Sequence, residues 1–214
     1  MKNFLCEAIL FDLDGVLVDS TPCVTRVWSA WAREHGLDAD QVVHIAHGRR
    51  TIETVRRVAP HLDAQRETDR IEQMEISDTD GLRVLPGARE LLAQLPKRYN
   101  IVTSGTRRLA TKRLQVAGLP VPKAMITADD VVRGKPAPDP YLAGARAFGY
   151  TPKHCLVCED APSGIRSAKA AEMLAIGVST TYPASELTEA DAVVGSLQEV
   201  IVKITPGGLT IVVA

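Results

Sequence analysis

Residues 11–20 read FDLDGVLVDS, with Asp12 and Asp14 flanking one leucine and Gly15 directly after them. The apolar run before them, Ala8 to Phe11, has the character of a buried strand. The two aspartates therefore stand at the mouth of that strand, where each charge must be solvated or paired. In an extended chain, residues two apart point to the same side. The carboxylates would then sit side by side and repel each other unless a cation lies between them. An Asx turn closing the strand, with Gly15 at positive φ, accounts for the same letters. D-x-D-G alone leaves both readings open.

Outward from this strand the pattern turns helical, from Thr21 to Asp80. Thr21 and Pro22 start a helix that carries Val24, Val27, Trp28 and Trp31 on one face and stops at Gly36. A short helix follows from Asp40 to His47. A third, with Thr51 as its N-cap, carries Ile52, Val55 and Val58 up to Pro60, and a weaker fourth spans Asp63 to Ile76. The tryptophans are expected to be the core of this small bundle. From Leu85 the pattern alternates: a helix ARELLAQL closed by Pro96, a strand NIVTS, a helix from Thr106 to Ala117, and a strand AMIT. A proline-rich loop and a helix near Tyr141 to Phe148 follow, then the strand CLVC, the helix SGIRSAKAAEM, the strand LAIGVS and a short AVV strand. Alternation of this kind predicts an α/β fold, a doubly wound parallel sheet with right-handed crossovers. Residues 1–15 and 84–214 form that core domain, and residues 16–83 are a helical insertion. The tail from Val200 to Ala214 reads as a hairpin around TPGG, which extends the sheet, buries an edge or stays exposed.

Composition excludes several classes. At 214 residues the chain suits one α/β domain with a small insertion. A net charge of −1, with no basic arm, offers no field for nucleic acid. No apolar run is long enough to span a membrane, and Met1 to Leu10 lacks a signal-peptide pattern, so a cytoplasmic protein is expected. Among four cysteines, Cys155 and Cys158 make a C-x-x-C, but an offset of three within a strand sends the thiols to opposite faces. No second pair completes a zinc site, and buried free thiols are expected. His44 and His47 fit a helix surface as well as a site.

In sheets of this type the ligand lies beyond the carboxyl ends of the strands. Asp12 and Asp14, Ser104 with Gly105, Lys135 in its proline-rich loop, and Glu159 with Asp160 all fall at such ends. Ser104, Gly105 and Thr106 open a helix, so hydroxyls and backbone N–H groups converge there on an anion. Each feature alone is a capped turn or a surface lysine; four in order are a constellation.

FDLDGVLVDS, IVTSGT, GKPAPDPYL and CLVCEDAPSGI resemble the four motifs of the haloacid-dehalogenase superfamily, across residues 7–180. AHGRRTIETVRRVAP, SGTRRLATKRL and TADDVVRGKPAPDPYL are similar, more narrowly, to its sugar and polyol phosphatases of the 2-deoxyglucose-6-phosphate and glycerol-phosphate type. The resemblance implies a Rossmann-like core with a mobile α-helical cap, and hydrolysis of a small phosphorylated metabolite. It implies Asp12 as nucleophile, forming an aspartyl-phosphate, and Asp14 as general acid and base. Mg²⁺ is implied on the Asp12 carboxylate, the Asp14 backbone carbonyl and the Asp160 carboxylate. Ser104 and the Gly105 N–H are implied to hold phosphoryl oxygens, Lys135 to pair with Asp12 and the phosphate, and Glu159 to support the metal ligands.

Asp14 argues for phosphoryl transfer over dehalogenation, since dehalogenases of this pattern lack that acid. The absence of lysine between Lys2 and Lys97 argues against a Schiff-base phosphonate enzyme. A β-phosphoglucomutase-like mutase, with Arg49 and Arg50 holding a second phosphate, is the alternative. A silent binding domain on the same fold would predict a lost nucleophile, acid or lysine. Arg50, in HGRRT between two helices of the insertion, is expected to face the site and help choose the substrate. A monomer or weak homo-oligomer is expected.

Overall fold

Two strands open the chain, β1 (Lys2–Cys6) and β2 (Ala8–Phe11), in a computed structural model that describes residues 2–95 and 97–213. All of β2 is buried, with Ile9 and Phe11 in the apolar cluster on one side and Ala8 and Leu10 in that on the other. That alternation marks a strand covered on both faces.

After β2, a short strand β3 (Val18–Asp19) leads into α1 (Thr21–Glu34), α2 (Ala39–Ala46), α3 (Thr51–Val58) and α4 (Ala64–Ser77), and β4 (Arg83–Val84) leads out. β3 and β4 pair antiparallel, and Arg83 forms an ion pair with Asp19 at 2.8 Å, so the two crossings into the insertion are joined. Asp38 and Asp63 cap α2 and α4 by accepting backbone N–H groups, as their residue type favours. The N-cap of α3 is Arg50, not Thr51, because the Arg50 carbonyl already accepts from Glu53 and Thr54; Thr51 is the first helical residue. The insertion has its own apolar cluster, with Val27, Trp28, Trp31, Val55 and Ile71 buried. The rings of Trp28 and Trp31 meet edge to face at 5.6 Å, and Trp31 donates its indole N–H to Glu67 at 2.8 Å.

The rest of the chain supplies α5 (Ala88–Gln94), β5 (Tyr99–Ile101), α6 (Arg107–Val116), α7 (Asp139–Ala147), β6 (Cys155–Glu159), α8 (Pro162–Ala170), β7 (Leu174–Val178) and β8 (Ala192–Val194). Five strands form one parallel sheet in the order β5-β2-β6-β7-β8. α5 and α6 pack on one face and α7 and α8 on the other, a doubly wound arrangement. The AMIT segment is not a strand. It makes a single bridge, Val102 to Ile126, and then turns into a short 3₁₀ segment capped reciprocally by Thr127 and Asp130. Pro96, expected to close α5, lies outside the described residues.

The tail forms β9 (Val200–Thr205) and β10 (Gly208–Val213), and β10 pairs with β1 in a separate antiparallel sheet, β1-β10-β9. Gly208 is required at the turn: a Cβ there would lie 2.6 Å from the Cys6 carbonyl oxygen. Cys155 and Cys158 fall into opposite clusters, and the four cysteines are free and buried. Among the described residues, no helix is long and apolar enough to cross a membrane.

β2 is flanked by β5 on one side and β6 on the other, so the strand order reverses there. The crevice beyond its carboxyl end is where such sheets bind ligands. Asp12 is the next residue.

Candidate active site

Asp12 leaves β2, and Glu159 and Asp160 leave β6 beside it; oxygens of all three lie within 4.8 Å of one another. Lys135, from the loop before α7, enters between them. Its Nζ donates to Asp12 Oδ1 at 2.6 Å, to Glu159 Oε1 at 2.6 Å and to the Val102 carbonyl at 3.1 Å. The lysine is 1% exposed. Burial alone would favour its neutral form, but the Asp12 and Glu159 carboxylates outweigh that and hold it charged. Both Glu159 oxygens are committed, Oε1 also to the Tyr141 hydroxyl and Oε2 to the Ala161 N–H. Glu159 thus anchors Lys135 and the start of α8. Two glycines make room: a Cβ on Gly15 would lie 2.0 Å from Asp160 Oδ2, and one on Gly164 would lie 1.6 Å from Glu159 Oε1. Gly15, at φ +78°, therefore supplies both the turn and the space for a second carboxylate.

The donor set fits a hard divalent cation. Three buried carboxylates face one ammonium, so ionising all three would leave an excess of two negative charges in a buried site. Burial raises Asp12 and Asp160, and the neighbouring carboxylates raise them further. Asp160 Oδ1 is buried with no hydrogen-bond partner. An all-oxygen cluster with a free, buried lone pair suits Mg²⁺ or a similar ion, and a divalent charge would balance it.

Asp14 stands apart from this cluster. Its Oδ2 accepts from Arg113 Nη1 at 2.7 Å, while its Oδ1 is buried without a partner. Arg113, on α6, also lies 3.3 Å from Glu75 Oε1 on α4 of the insertion. Burial would favour a neutral Arg113, but Asp14 and Glu75 keep it charged; burial pushes the Glu75 carboxyl up, with Arg113 opposing.

Asp12, Asp14, Ser104 and Gly105 line a cavity of about 60 Å³, roofed by His47, Gly48 and Arg49 of the insertion. Ser104 Oγ donates to the Gly48 carbonyl at 3.2 Å, as does Ser163 Oγ. The Gly105 N–H donates to Thr103 Oγ1 at 3.1 Å. Asp12 joins the two groups: it lines this cavity with Asp14, Ser104 and Gly105, and it accepts from Lys135 and stands beside Asp160 in the acidic cluster. Arg50 is not among them. Its guanidinium donates to Glu53 and to the carbonyls of Val131 and Val132, and Arg49 lines the cavity instead. Arg50 lines an adjoining cleft that Ser104 and Thr106 share. A second cleft, lined by Arg49, Arg57, Arg166, His44 and His47, also adjoins the cavity.

Sequence reasoning missed Arg113 and Glu75. The signal was present: Leu109 and Arg113 are four apart on α6, and Ile71 and Glu75 four apart on α4. Each puts a charge at a core position of an amphipathic helix, where only pairing makes it tolerable.

The sequence matches the haloacid dehalogenase-like hydrolase model over residues 6–172. It is 43% identical over 213 residues to hexitol phosphatase A of Escherichia coli, covering 97% of this chain and 99% of that protein. It is 35% identical over 196 residues to glycerol-1-phosphate phosphohydrolase 2 of Saccharomyces cerevisiae, covering 86% and 78%. Among solved structures, a hydrolase from Pseudomonas syringae superposes with a TM-score of 0.82 at 28% identity, covering 90% of this chain and 94% of that one. With matched fold, matched motifs and an acidic cluster at the switch point of the sheet, the chain belongs to the haloacid dehalogenase-like hydrolase family.

Proposed function

We propose that the protein is a phosphatase that hydrolyses a small polyol or sugar phosphate through an aspartyl-phosphate on Asp12. The observation that carries this reading is the grip of Lys135 on Asp12 Oδ1, which fixes a buried carboxylate at the edge of a cavity shared with Asp14, Ser104 and Gly105. Similarity to a hexitol phosphatase and a glycerol-1-phosphate phosphohydrolase supports the substrate class. Asp12 Oδ2 attacks the phosphorus and the P–O bond to the alcohol breaks, dividing one displacement into two. Asp14 gives its proton to the departing oxygen, then takes one from the water that cleaves the acyl phosphate. Ser104 exchanges the Gly48 carbonyl for a phosphoryl oxygen, and Lys135 balances charge on the group in transfer. Mg²⁺ would be held by the Asp12 and Asp160 carboxylates and the Asp14 carbonyl, and would supply further charge neutralisation.

Residues 16–83 act as a cap that closes over this site, and every group named comes from one chain, so a monomer or weak homo-oligomer suffices. Buried free thiols fit a reducing, cytoplasmic setting. The basic cleft beside the cavity also supports a second reading, a sugar-phosphate mutase that holds a second phosphate on Arg49, Arg57 and Arg166. Product analysis separates the two. Hexitol and glycerol phosphates should yield free alcohol and inorganic phosphate with Mg²⁺, and Asp12→Asn should bring release to background. Turnover that survives both EDTA and Asp12→Asn overturns the mechanism, and isomerised sugar phosphate as the product favours the mutase.

A further inference from the structure

Arg113 takes no part in the chemistry above, yet its side chain is only 6% exposed, among Leu109, Ala110 and Leu114 on α6. Its Nη1 donates to Asp14, its Nη2 lies 3.3 Å from Glu75 Oε1 without completing a hydrogen bond, and its Nε has no partner. Asp14 belongs to the loop after β2, and Glu75, 5% exposed, belongs to α4 of the insertion. One guanidinium therefore ties the core to the cap at the acid itself. Buried ion triads of this kind contribute little net stability over an apolar core of the same volume. What a guanidinium does supply is direction, since its rigid plane, held between Asp14 and Glu75, fixes where the Nη1 donor meets Asp14. Arg113 occupies Asp14 Oδ2, so Oδ1, the buried oxygen without a partner, is the one left to face the substrate.

We propose that Arg113 is a positioning residue for Asp14, anchored on its far side by Glu75, so that the proton-transfer group is set only when the cap is closed. When α4 moves away with the cap, Arg113 loses Glu75 and gains water, and its hold on the Asp14 rotamer loosens. The coupling protects against proton transfer in an open, wet site. It rests on the assignment of Asp14 as acid and base.

Leaving-group dependence tests it. Glycerol 1-phosphate releases an alkoxide that needs a proton; 4-nitrophenyl phosphate releases a phenolate that does not. We compare kcat/KM for the two, which reports the step in which the leaving group departs. Asp14→Asn should cost the alkyl substrate on the order of a hundredfold or more and the aryl substrate far less. Arg113→Met should show the same selectivity at about tenfold or more, and Glu75→Gln the same direction at a smaller size. Arg113→Lys, which keeps the charge without the fork, should restore only part of the alkyl activity. Equal losses on both substrates in Arg113→Met and Glu75→Gln, or none, overturn the proposal. Should Arg113→Met not fold, the near-isosteric Glu75→Gln decides alone: an unchanged alkyl-to-aryl ratio overturns it. Equal losses in Asp14→Asn itself would instead remove the assignment of Asp14, and this inference with it.

Discussion

The extended backbone of Arg50, at φ −70° and ψ 138°, sends it and Arg49 to different sides of the turn between α2 and α3. Arg49 lines both the cavity over Asp12 and the basic cleft beside it. Arg50 reaches instead to the carbonyls of Val131 and Val132, in the loop that carries Lys135. It passes close over Gly134, where a Cβ would lie 2.9 Å from Arg50 Nε and would displace the arginine. The two arginines should therefore fail differently. Losing a charge-assisted hydrogen bond to substrate costs about 1.5–3 kcal/mol, or roughly tenfold to a hundredfold in rate. Arg49→Ala should lower kcat/KM on the polyol phosphate by that amount, chiefly through KM, and spare 4-nitrophenyl phosphate. Arg50→Ala should weaken cap docking and lower both substrates alike. The reverse pattern in steady-state kinetics would return substrate choice to Arg50. At this scale, the sequence makes charges at strand ends legible, because a carboxylate beside a buried strand needs an explanation. It hides Arg113 and Glu75, because one polar residue in a helical pattern looks like solvent exposure until its neighbour is known.

Elements were legible where local pattern and tertiary context agree. β2, β6 and β7 are unbroken apolar runs, and the helices of the insertion carry caps and stops in their own letters. β1 was not legible, because its partner β10 lies at the other end of the chain. AMIT failed for the opposite reason: Met125 is buried and Ile126 partly so, but the capping box at Thr127 bends the chain away after one bridge. The tail settles on burying an apolar face. Leu209, Ile211 and Val213 join the cluster beneath α5 and α6, while Ile201 and Ile204 stay exposed on the outer strand β9. Ile211 is fully buried, so Ile211→Ala should cost about 2–5 kcal/mol. In a chain of this size that is a fall in Tm on the order of 5–15 °C. Ile201→Ala, at 55% exposure, should leave Tm within a degree or two. Calorimetry of the two variants checks the assignment: equal shifts would mean that the hairpin does not pack on the core.

At the scale of the molecule, the cavity over Asp12 is narrow for the chemistry proposed. About 60 Å³ of water-accessible space is tight for a phosphorylated polyol, and the cap motion proposed above would widen it for loading. What holds it closed is polar. Ser104 and Ser163 share the Gly48 carbonyl, Tyr182 donates to the His44 carbonyl at 2.8 Å, and Arg50 and Arg113 span the boundary. Water can replace each of these at a net cost of about 1 kcal/mol per hydrogen bond. The apolar cluster of the insertion is separate from the two clusters of the core, so opening exposes little apolar surface. The paired crossings β3 and β4 are where the chain can flex as a unit. Spin labels at Gln41→Cys, on the cap, and Lys153→Cys, on the core, would report the separation. The native thiols stay silent in that experiment, since burial pushes Cys155 up to about 11 and Cys6 to about 12 and hides all four. Without ligand the distances should be broad or bimodal, because polar contacts alone leave the open form populated. With Mg²⁺ and a fluoroaluminate mimic of the transferring phosphoryl group, they should collapse to one short distance as the cap is drawn onto the charge. A single narrow distance, the same with and without the mimic, would count against a moving cap and require another way into the site.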